Sequence, residues 1–244
     1  MKSGRIVQVA VAAGLVAMAQ AMMTPGMAAQ ATPQLTAVLA KMDAASRSFH
    51  NAQAEFKWDY YQKIVHDTTT DTGAIYFQRE GGAMDMGAVL NDPTGKTKAS
   101  KVLAYKDGLL KMFTPGIDQL DVVKAGANQA EYESFLTLGF GGSGSELAKN
   151  WTIHDLGPVT LNDDGKGVVT EELDLIGKDA ASRKNFSHVT IWVDPTRGVS
   201  LKQMFFTPSG DYRTATYTHI RVNSGLDKSR YAMKTDKKTQ VFNH

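Results

Sequence analysis

The sequence predicts an α+β fold: a strongly curved antiparallel sheet approaching a barrel, with helices over its concave face. Three observations carry this expectation. First, Ser187 to Val222 reads as a three-strand meander of His188–Val193, Val199–Thr207 and Asp211–Val222. Its breaks, Asp194-Pro195-Thr196-Arg197-Gly198 and Pro208-Ser209-Gly210, are turns with a mechanism, because proline presets one turn angle and glycine accepts positive φ. Second, short runs rich in Val, Ile, Thr and aromatic residues recur along the preceding chain, the composition that fits a pleated surface. Third, helical spacing occurs in two places only, and no repeat-length period links the strands, which argues against a propeller or solenoid.

The elements follow in order. Thr32-Pro33 pairs an N-cap with proline at the first helical position. Leu35, Val38, Leu39, Met42 and Ala45 then form one apolar stripe, so Pro33–Ser48 is a helix with one buried side. The period changes to two at Ala54, Phe56, Trp58 and Tyr60, a half-buried strand. His66–Asp71 is expected as a polar turn, Gly73–Arg79 as the next strand, and Ala83–Leu90 as a third after Glu80-Gly81-Gly82. Asn91–Ser100 reads as a loop. Val102–Tyr105 and Leu109–Phe113 flank Lys106-Asp107-Gly108, whose Asp-Gly pair signals a tight hairpin. Ile117–Val123 adds a strand. Asn128–Gly139 has Tyr132, Phe135, Leu136 and Leu138 at helical spacing. Ser143–Asn150 is a second short helix with Ser143 and Glu146 at capping-box spacing. Strands resume at Trp151–Leu156 and Val168–Leu175, before the meander, and a last one lies near Gln240–Phe242.

Composition bounds the function. Lys2 and Arg5 precede an apolar run from Ile6 to Met23, then Pro25 and small residues follow, which is the pattern of a secretory signal peptide; a retained membrane anchor is the other reading, and the Ala- and Gly-rich run favours cleavage. Residues 1–31 are assigned to it, with the cut near Ala29 or Ala31 and Ala19-Gln20-Ala21 as an earlier option; residues 32–244 form one domain. Lys2 and Arg5 are two of the chain's 27 basic residues, and none of its 25 acidic residues lies in that segment, so the rest is neutral. A neutral surface gives no reason to expect nucleic acid as a partner. The chain has no cysteine, so it is not itself lipidated and its core must suffice without disulfides.

The search for chemistry finds no catalytic set. Gly139-Phe140-Gly141-Gly142-Ser143-Gly144 matches the dinucleotide fingerprint by letter, but no βαβ unit surrounds it. A flexible hinge between two lid helices suits its glycines better. The six histidines share no helix at metal spacing, so neither a metal nor a cofactor is expected. His154 and His188 could meet across strands as structural side chains. Asn185-Phe186-Ser187 is a chance-level sequon, and Asp163-Asp164-Gly165 reads as a turn. What stands out is large apolar residues on single strand faces: Phe56, Trp58, Ile75, Phe77, Met84, Met86, Leu103, Met112, Trp192 and Phe205. They either fill a packed core or line a cavity, since a larger or open barrel encloses space.

The helix ending Ser46-Arg47-Ser48-Phe49-His50 with Ala54-Glu55-Phe56, the strand Gly73-Ala74-Ile75-Tyr76-Phe77-Gln78-Arg79, and the hairpin Val102-Leu103-Ala104-Tyr105-Lys106-Asp107-Gly108 follow one another in an order that resembles the LolA family of periplasmic carriers of outer-membrane lipoproteins. Trp151-Thr152-Ile153, Ile191–Met204 and Tyr212–Ile220 follow in the family's order. The resemblance implies an unclosed antiparallel β-barrel with helices as a lid over a hydrophobic cavity for acyl chains. It implies a non-enzymatic protein of the periplasm, a monomer whose cargo is lipid-modified proteins. Its partners would be an inner-membrane ABC-type release complex and an outer-membrane acceptor. The family's cavity Arg falls on Arg79. Alternation places Ile75, Phe77 and Arg79 on one face, where a charge must be paired or hydrogen-bonded, and lid carbonyls would serve. With Arg79, the acyl-binding set is Phe56, Trp58, Ile75, Phe77, Met84, Met86, Leu103 and Met112 from the sheet, and Leu35, Leu39, Phe135 and Leu138 from the lid. An RseB-type envelope-lipid sensor is the alternative. Glu80 stands where the family has proline, Met84 and Met86 replace an aromatic pair, and Asn91–Ser100 is an added loop.

Overall fold

The computed structural model describes residues 32–126 and 138–244. Among these, twelve strands form one continuous sheet: β1 Asn51–Gln62, β2 Asp67–Glu80, β3 Ala83–Leu90, β4 Lys101–Lys106, β5 Leu109–Thr114, β6 Gln119–Lys124, β7 Trp151–Asp163, β8 Lys166–Gly177, β9 His188–Asp194, β10 Val199–Phe206, β11 Tyr212–Val222 and β12 Gln240–Asn243. The helices are α1 Pro33–Ser48, α2 Gly144–Asn150 and α3 Ala180–Asn185. The sheet order is β12-β6-β5-β4-β3-β2-β1-β11-β10-β9-β8-β7. Every pairing is antiparallel except β12 with β6, so the chain builds mostly by hairpins and joins its two halves through the β1–β11 ladder. Among the described residues, no ladder joins β7 to β12. The fold is an unclosed barrel with helices, as expected.

Local chemistry explains the elements. The Thr32 hydroxyl accepts from Leu35 N at 3.1 Å and caps α1, whose Leu35, Val38 and Met42 are buried. They pack against Leu173, Leu175, Val189, Ile191 and Val193 of β8 and β9, so α1 lies on the inner face of that half of the sheet. The short α2 is capped twice. Ser143 Oγ accepts from Glu146 N, and Asp43 of α1 accepts from Ser145 N at 2.9 Å. Gly144 faces the Leu39 carbonyl so closely that a Cβ there would overlap it. A second core joins Phe49, Ala54, Phe56, Ile75, Phe77, Phe140, Leu201 and Tyr217.

The outer face of β2–β5 is also covered. Tyr231, in a 3-10 turn at Lys228–Tyr231, packs edge-on against Tyr76, and Ala99 and Met233 pack with Val102 and Phe113. The loop Asn91–Ser100 is ordered around Asp92, which accepts from the hydroxyls and amides of Thr94 and Thr97. Those bonds hold its carboxyl well below the usual carboxylate range.

Several expectations are corrected. The polar stretch His66–Asp71 is not all turn: the turn is Lys63–His66, and Asp67–Asp71 belong to β2. Thr68, Thr69 and Thr70 pair with Tyr61, Tyr60 and Asp59, so the polarity marks a solvated ribbon. β7 and β8 extend to meet at Asp163-Asp164-Gly165, where Asp164 and Gly165 have positive φ. The helix α3 is additional; Asp179 caps it through Ser182 N, and Asn185 of the sequon is its last residue. The helix expected over Asn128–Gly139 falls on residues outside the description, apart from Leu138 and Gly139, which form a turn.

Candidate functional site

Arg79 is the centre of the site. Strand alternation places it after Ile75 and Phe77 on the inner face of β2, opposite Met84 of β3. Its Nη1 donates to the Ser46 carbonyl at 2.6 Å and its Nη2 to the Gly141 carbonyl at 2.6 Å. Ser46 Oγ donates to that same Gly141 oxygen at 2.7 Å, and the guanidinium lies 5.5 Å from the centre of the Phe49 ring. Ser46 is in the last turn of α1, where its carbonyl has no i+4 partner and takes only a long 3.3 Å bond from the Phe49 amide, and where the dipole end is negative. A planar guanidinium with fixed donors suits two carbonyls from two segments. These are the carbonyl partners expected for a charge beside apolar residues.

The glycine-rich segment is pinned rather than hinged, which corrects the flexible-hinge reading. Phe140 bridges Val199, Gly141 N donates to Gly198 O at 2.9 Å, and Ser200 N donates to Gly139 O at 2.7 Å. Gly141 has φ +73° and a Cβ there would meet the Phe49 ring at 2.5 Å. A Cβ at Gly139 would overlap the Gln203 amide. The glycines are present because backbone and neighbouring side chains approach closely. Phe140 is held between Phe77, stacked at 4.4 Å, and Tyr217, edge-on at 5.0 Å. Tyr217 OH donates to Gln203 Oε1, and burial raises the Tyr217 pKa.

The predicted apolar residues divide by depth. Phe56, Ile75, Phe77 and Met84 are buried in the core of β1–β3, and Leu35 and Leu138 are buried with α1 and α2. Leu39 is half-buried beside Gly144. Trp58, Met86, Leu103 and Met112 are half-buried. Register places Leu103 between Ala88 and Met112, and Met86 beside Phe77, so they share the inner face. Phe135 lies outside the described residues. Trp192 is buried but on the other face: Ile191 and Val193 point to the inner core, so Trp192 lies on the outer face under the Lys202 ammonium, 4.2 Å from its ring.

Sequence reasoning missed Leu110 and Val123. Both are half-buried and continue the same inner face, Leu110 opposite Tyr105 and Val123 opposite Leu110. The signal was available, because the Asp107-Gly108 turn fixes Tyr105 opposite Leu110. It also missed Phe49, Phe140 and Tyr217. Phe140 reads as a lone aromatic among glycines until its partners are known.

Elsewhere, the β7–β8 turn reaches back toward β11: Asp164 Oδ1 lies 3.1 Å from His219 Nε2, and Glu55 Oε2 lies 3.6 Å from His219 Nδ1. A pocket of about 520 Å³ lies at this seam, lined by Ala54, Asp163, Val168, Arg197 and Arg230 among others. Arg197 pairs with Asp194 at 2.7 Å and Asp163 at 2.9 Å. His154 and His188 both approach Asp174, at 3.7 and 4.0 Å, so the expected cross-strand meeting occurs through a carboxylate. Among the described residues, no group of three or more His, Asp or Glu side chains is placed to hold a metal, and no helix is long and apolar enough to cross a membrane.

No protein-family model matches the chain, and no curated protein matches it. Solved structures do. An uncharacterized conserved protein from Thermus thermophilus superposes with TM-score 0.52 at 10% identity, covering 86% of this chain and 99% of that one, which shows a shared fold. MucB in complex with MucA(peri) gives TM-score 0.46 at 14% identity over 85% of this chain and 62% of that one. A LolA superfamily protein from Nitrosomonas europaea gives TM-score 0.38 at 12% identity over 82% of this chain and 97% of that one.

Proposed function

We propose that this chain is an exported, non-enzymatic carrier that takes the acyl chains of lipid-modified proteins against the inner face of its sheet and delivers them to the outer membrane. Its signal segment, residues 1–31, would be cleaved, leaving the carrier in the periplasm. The observation that carries the reading is the run of half-buried apolar side chains, Trp58, Met86, Leu103, Leu110, Met112 and Val123, which continues the packed core outward across the inner face. Methionine and leucine adapt to flexible chains, and each acyl methylene removed from water is worth about 0.8 kcal/mol. Trp58 stacks on Phe56 at 4.0 Å, giving this surface a rigid inner border.

Arg79 belongs to the same reading. It ties the end of α1 to the Gly141 segment at the border of the filled core, so movement of α1 must break two charge-assisted bonds. A carrier needs such a cost, since cargo held without opposition is not released.

The test is displacement. A naphthalene sulfonate dye should brighten with the protein and be displaced by a diacylated peptide, and Leu103→Asp with Met112→Asp should weaken the peptide at least tenfold. Failure of the peptide to compete at saturation would show that this face is core alone and would end the carrier reading.

A further inference from the structure

Ile64, the most exposed large apolar side chain among the described residues, stands beside a second exposed one, Val65. Ile64 is 91% exposed and Val65 63% exposed, at the centre of the Lys63–His66 turn joining β1 to β2. The ribbon beneath them is solvated: residues 62–72 are all exposed, and β2 becomes buried at Gly73. Nothing in this part of the chain needs Ile64 or Val65 for folding, and one of the commoner hairpin choices, Asn or Gly, would hold the turn without exposing apolar area.

What surrounds the tip orders itself by polarity. Below Ile64 and Val65 comes a belt of aromatic rings. Tyr61 stacks on Tyr212 at 4.9 Å, and Arg213 covers Tyr60 at 5.0 Å. Tyr61 OH lies 3.0 Å from His66 Nδ1, which ties the belt to the turn. Lys63 N donates to Asp211 Oδ1, so the β10–β11 turn braces the tip from one side. Aliphatic apex, then tyrosines with cations, then solvated strand is the order that a bilayer surface imposes on a protein entering it. A protein partner would select a broader apolar patch with a polar rim, and two aliphatic side chains on a narrow turn do not supply that area.

We propose that the β1–β2 tip is a membrane-contact point, which dips Ile64 and Val65 into the acyl boundary of a lipid bilayer while the tyrosines and Arg213 sit among the headgroups. Two side chains bind weakly and reversibly, so the contact is a touch rather than an anchor. The charges beside the tip, Lys63 and Arg213 against Asp67 and Asp211, balance, so the contact depends on apolar insertion and not on anionic lipid. The contact does not require the carrier role, because Ile64, Val65, Tyr61 and Arg213 are not among the inner-face side chains proposed to hold acyl chains.

The absence of cysteine allows a local probe in the full chain. Val65→Cys, labelled with an environment-sensitive nitrobenzoxadiazole, is mixed with phosphatidylcholine vesicles and with phosphatidylethanolamine–phosphatidylglycerol vesicles. The reading is local, so the apolar stretch Ile6 to Met23 does not supply the signal. The expected result is a blue shift with both vesicle types, quenching by a lipid-borne quencher, little change with salt, and no shift for the same label at Asn243→Cys. Adding Ile64→Asp should raise the lipid concentration for half-maximal shift by roughly tenfold, with an unchanged melting temperature because the residue is exposed. An unshifted probe at 65 in both vesicle types overturns the proposal. A shift that Ile64→Asp leaves unaltered, or one seen equally at position 243, overturns it as well.

Discussion

Arg79 and Ser46 meet at the end of α1: the guanidinium donates to the Ser46 carbonyl at 2.6 Å, and the Ser46 hydroxyl donates to the Gly141 carbonyl that Arg79 also binds. One side chain therefore joins a helix end, a glycine-rich segment and β2. The Ser46 carbonyl is among those that the helix itself leaves without an i+4 partner, so Arg79 also serves as a C-cap.

Arg79→Leu removes two charge-assisted bonds and leaves the Ser46 carbonyl with only the Phe49 amide and the Gly141 carbonyl with only the Ser46 hydroxyl. The loss should be about 1–3 kcal/mol, read by denaturant unfolding, with faster amide exchange in the last turn of α1. Under the carrier reading, acyl loading persists and transfer to an acceptor fails. Arg79→Lys should recover only part of the stability, because a single ammonium cannot match the fork. Wild-type stability and exchange in Arg79→Leu would show that the bonds contribute nothing.

Phe140→Ala should be among the most costly single changes in the described core. The ring is 1% exposed, stacked on Phe77 and edge-on to Tyr217. The expected loss is about 3–5 kcal/mol by chemical denaturation, and a loss below about 1 kcal/mol would mean that this core collapses around the gap.

Gly144→Val tests the α1–α2 contact. Its Cβ would overlap the Leu39 carbonyl, a backbone atom that cannot swing aside, so the helices must separate. A melting temperature lower by several degrees, with weakened protection of α2 amides, is expected. Gly95→Ala, where a Cβ meets nothing within 4 Å but φ is +69°, should cost only the backbone strain of one exposed turn, and it serves as the comparison.

Glu171 gives the pH dependence. It lies at the other end of α1, where Gln34 donates to it at 3.1 Å. Burial raises its pKa, the Gln34 bond opposes that, and the nearby Asp155 carboxylate raises it further. For an acid with a raised folded pKa, the folded state holds its proton more tightly than the unfolded one. Its contribution is therefore most favourable below the ordinary carboxylate range and is lost as pH rises through the folded pKa. Glu171→Gln keeps an acceptor for Gln34 and removes the buried charge. It should raise the melting temperature at neutral pH and make no difference in acid. A gain of the same size at both pH values would assign the effect to something other than ionisation.

Much of the fold was legible before any coordinates. Period-two runs such as Ala54–Tyr60, the Asp107-Gly108 turn and the Pro208–Gly210 break are local signals, and each marks its element because a two-residue period or a positive φ is a property of a few neighbouring residues. The stripe Leu35, Val38 and Met42 was legible for the same reason. The alternation that set Arg79 beside Ile75 and Phe77 already required donors to find partners. What sequence could not supply was which carbonyls, since Ser46 and Gly141 are 33 and 62 residues away and meet Arg79 only through the sheet.

Depth was decided by tertiary structure as well. Phe77 and Met86 read alike as apolar residues on one face, yet Phe77 is covered by Phe140 and Met86 is only half-buried. Trp192 is apolar and buried like its neighbours, yet it lies on the outer face, because the register of β9 turns Ile191 and Val193 inward. Gly139, Gly141 and Gly144 read as freedom and prove to be close approach, since only packing against Gln203, Phe49 and Leu39 reveals what a Cβ would strike. The sequence by itself determined where strands and helices begin and which faces are apolar, because those follow from near neighbours. Only the tertiary structure decided which of those faces are filled and which polar atoms meet, because both depend on residues brought together across the whole sheet.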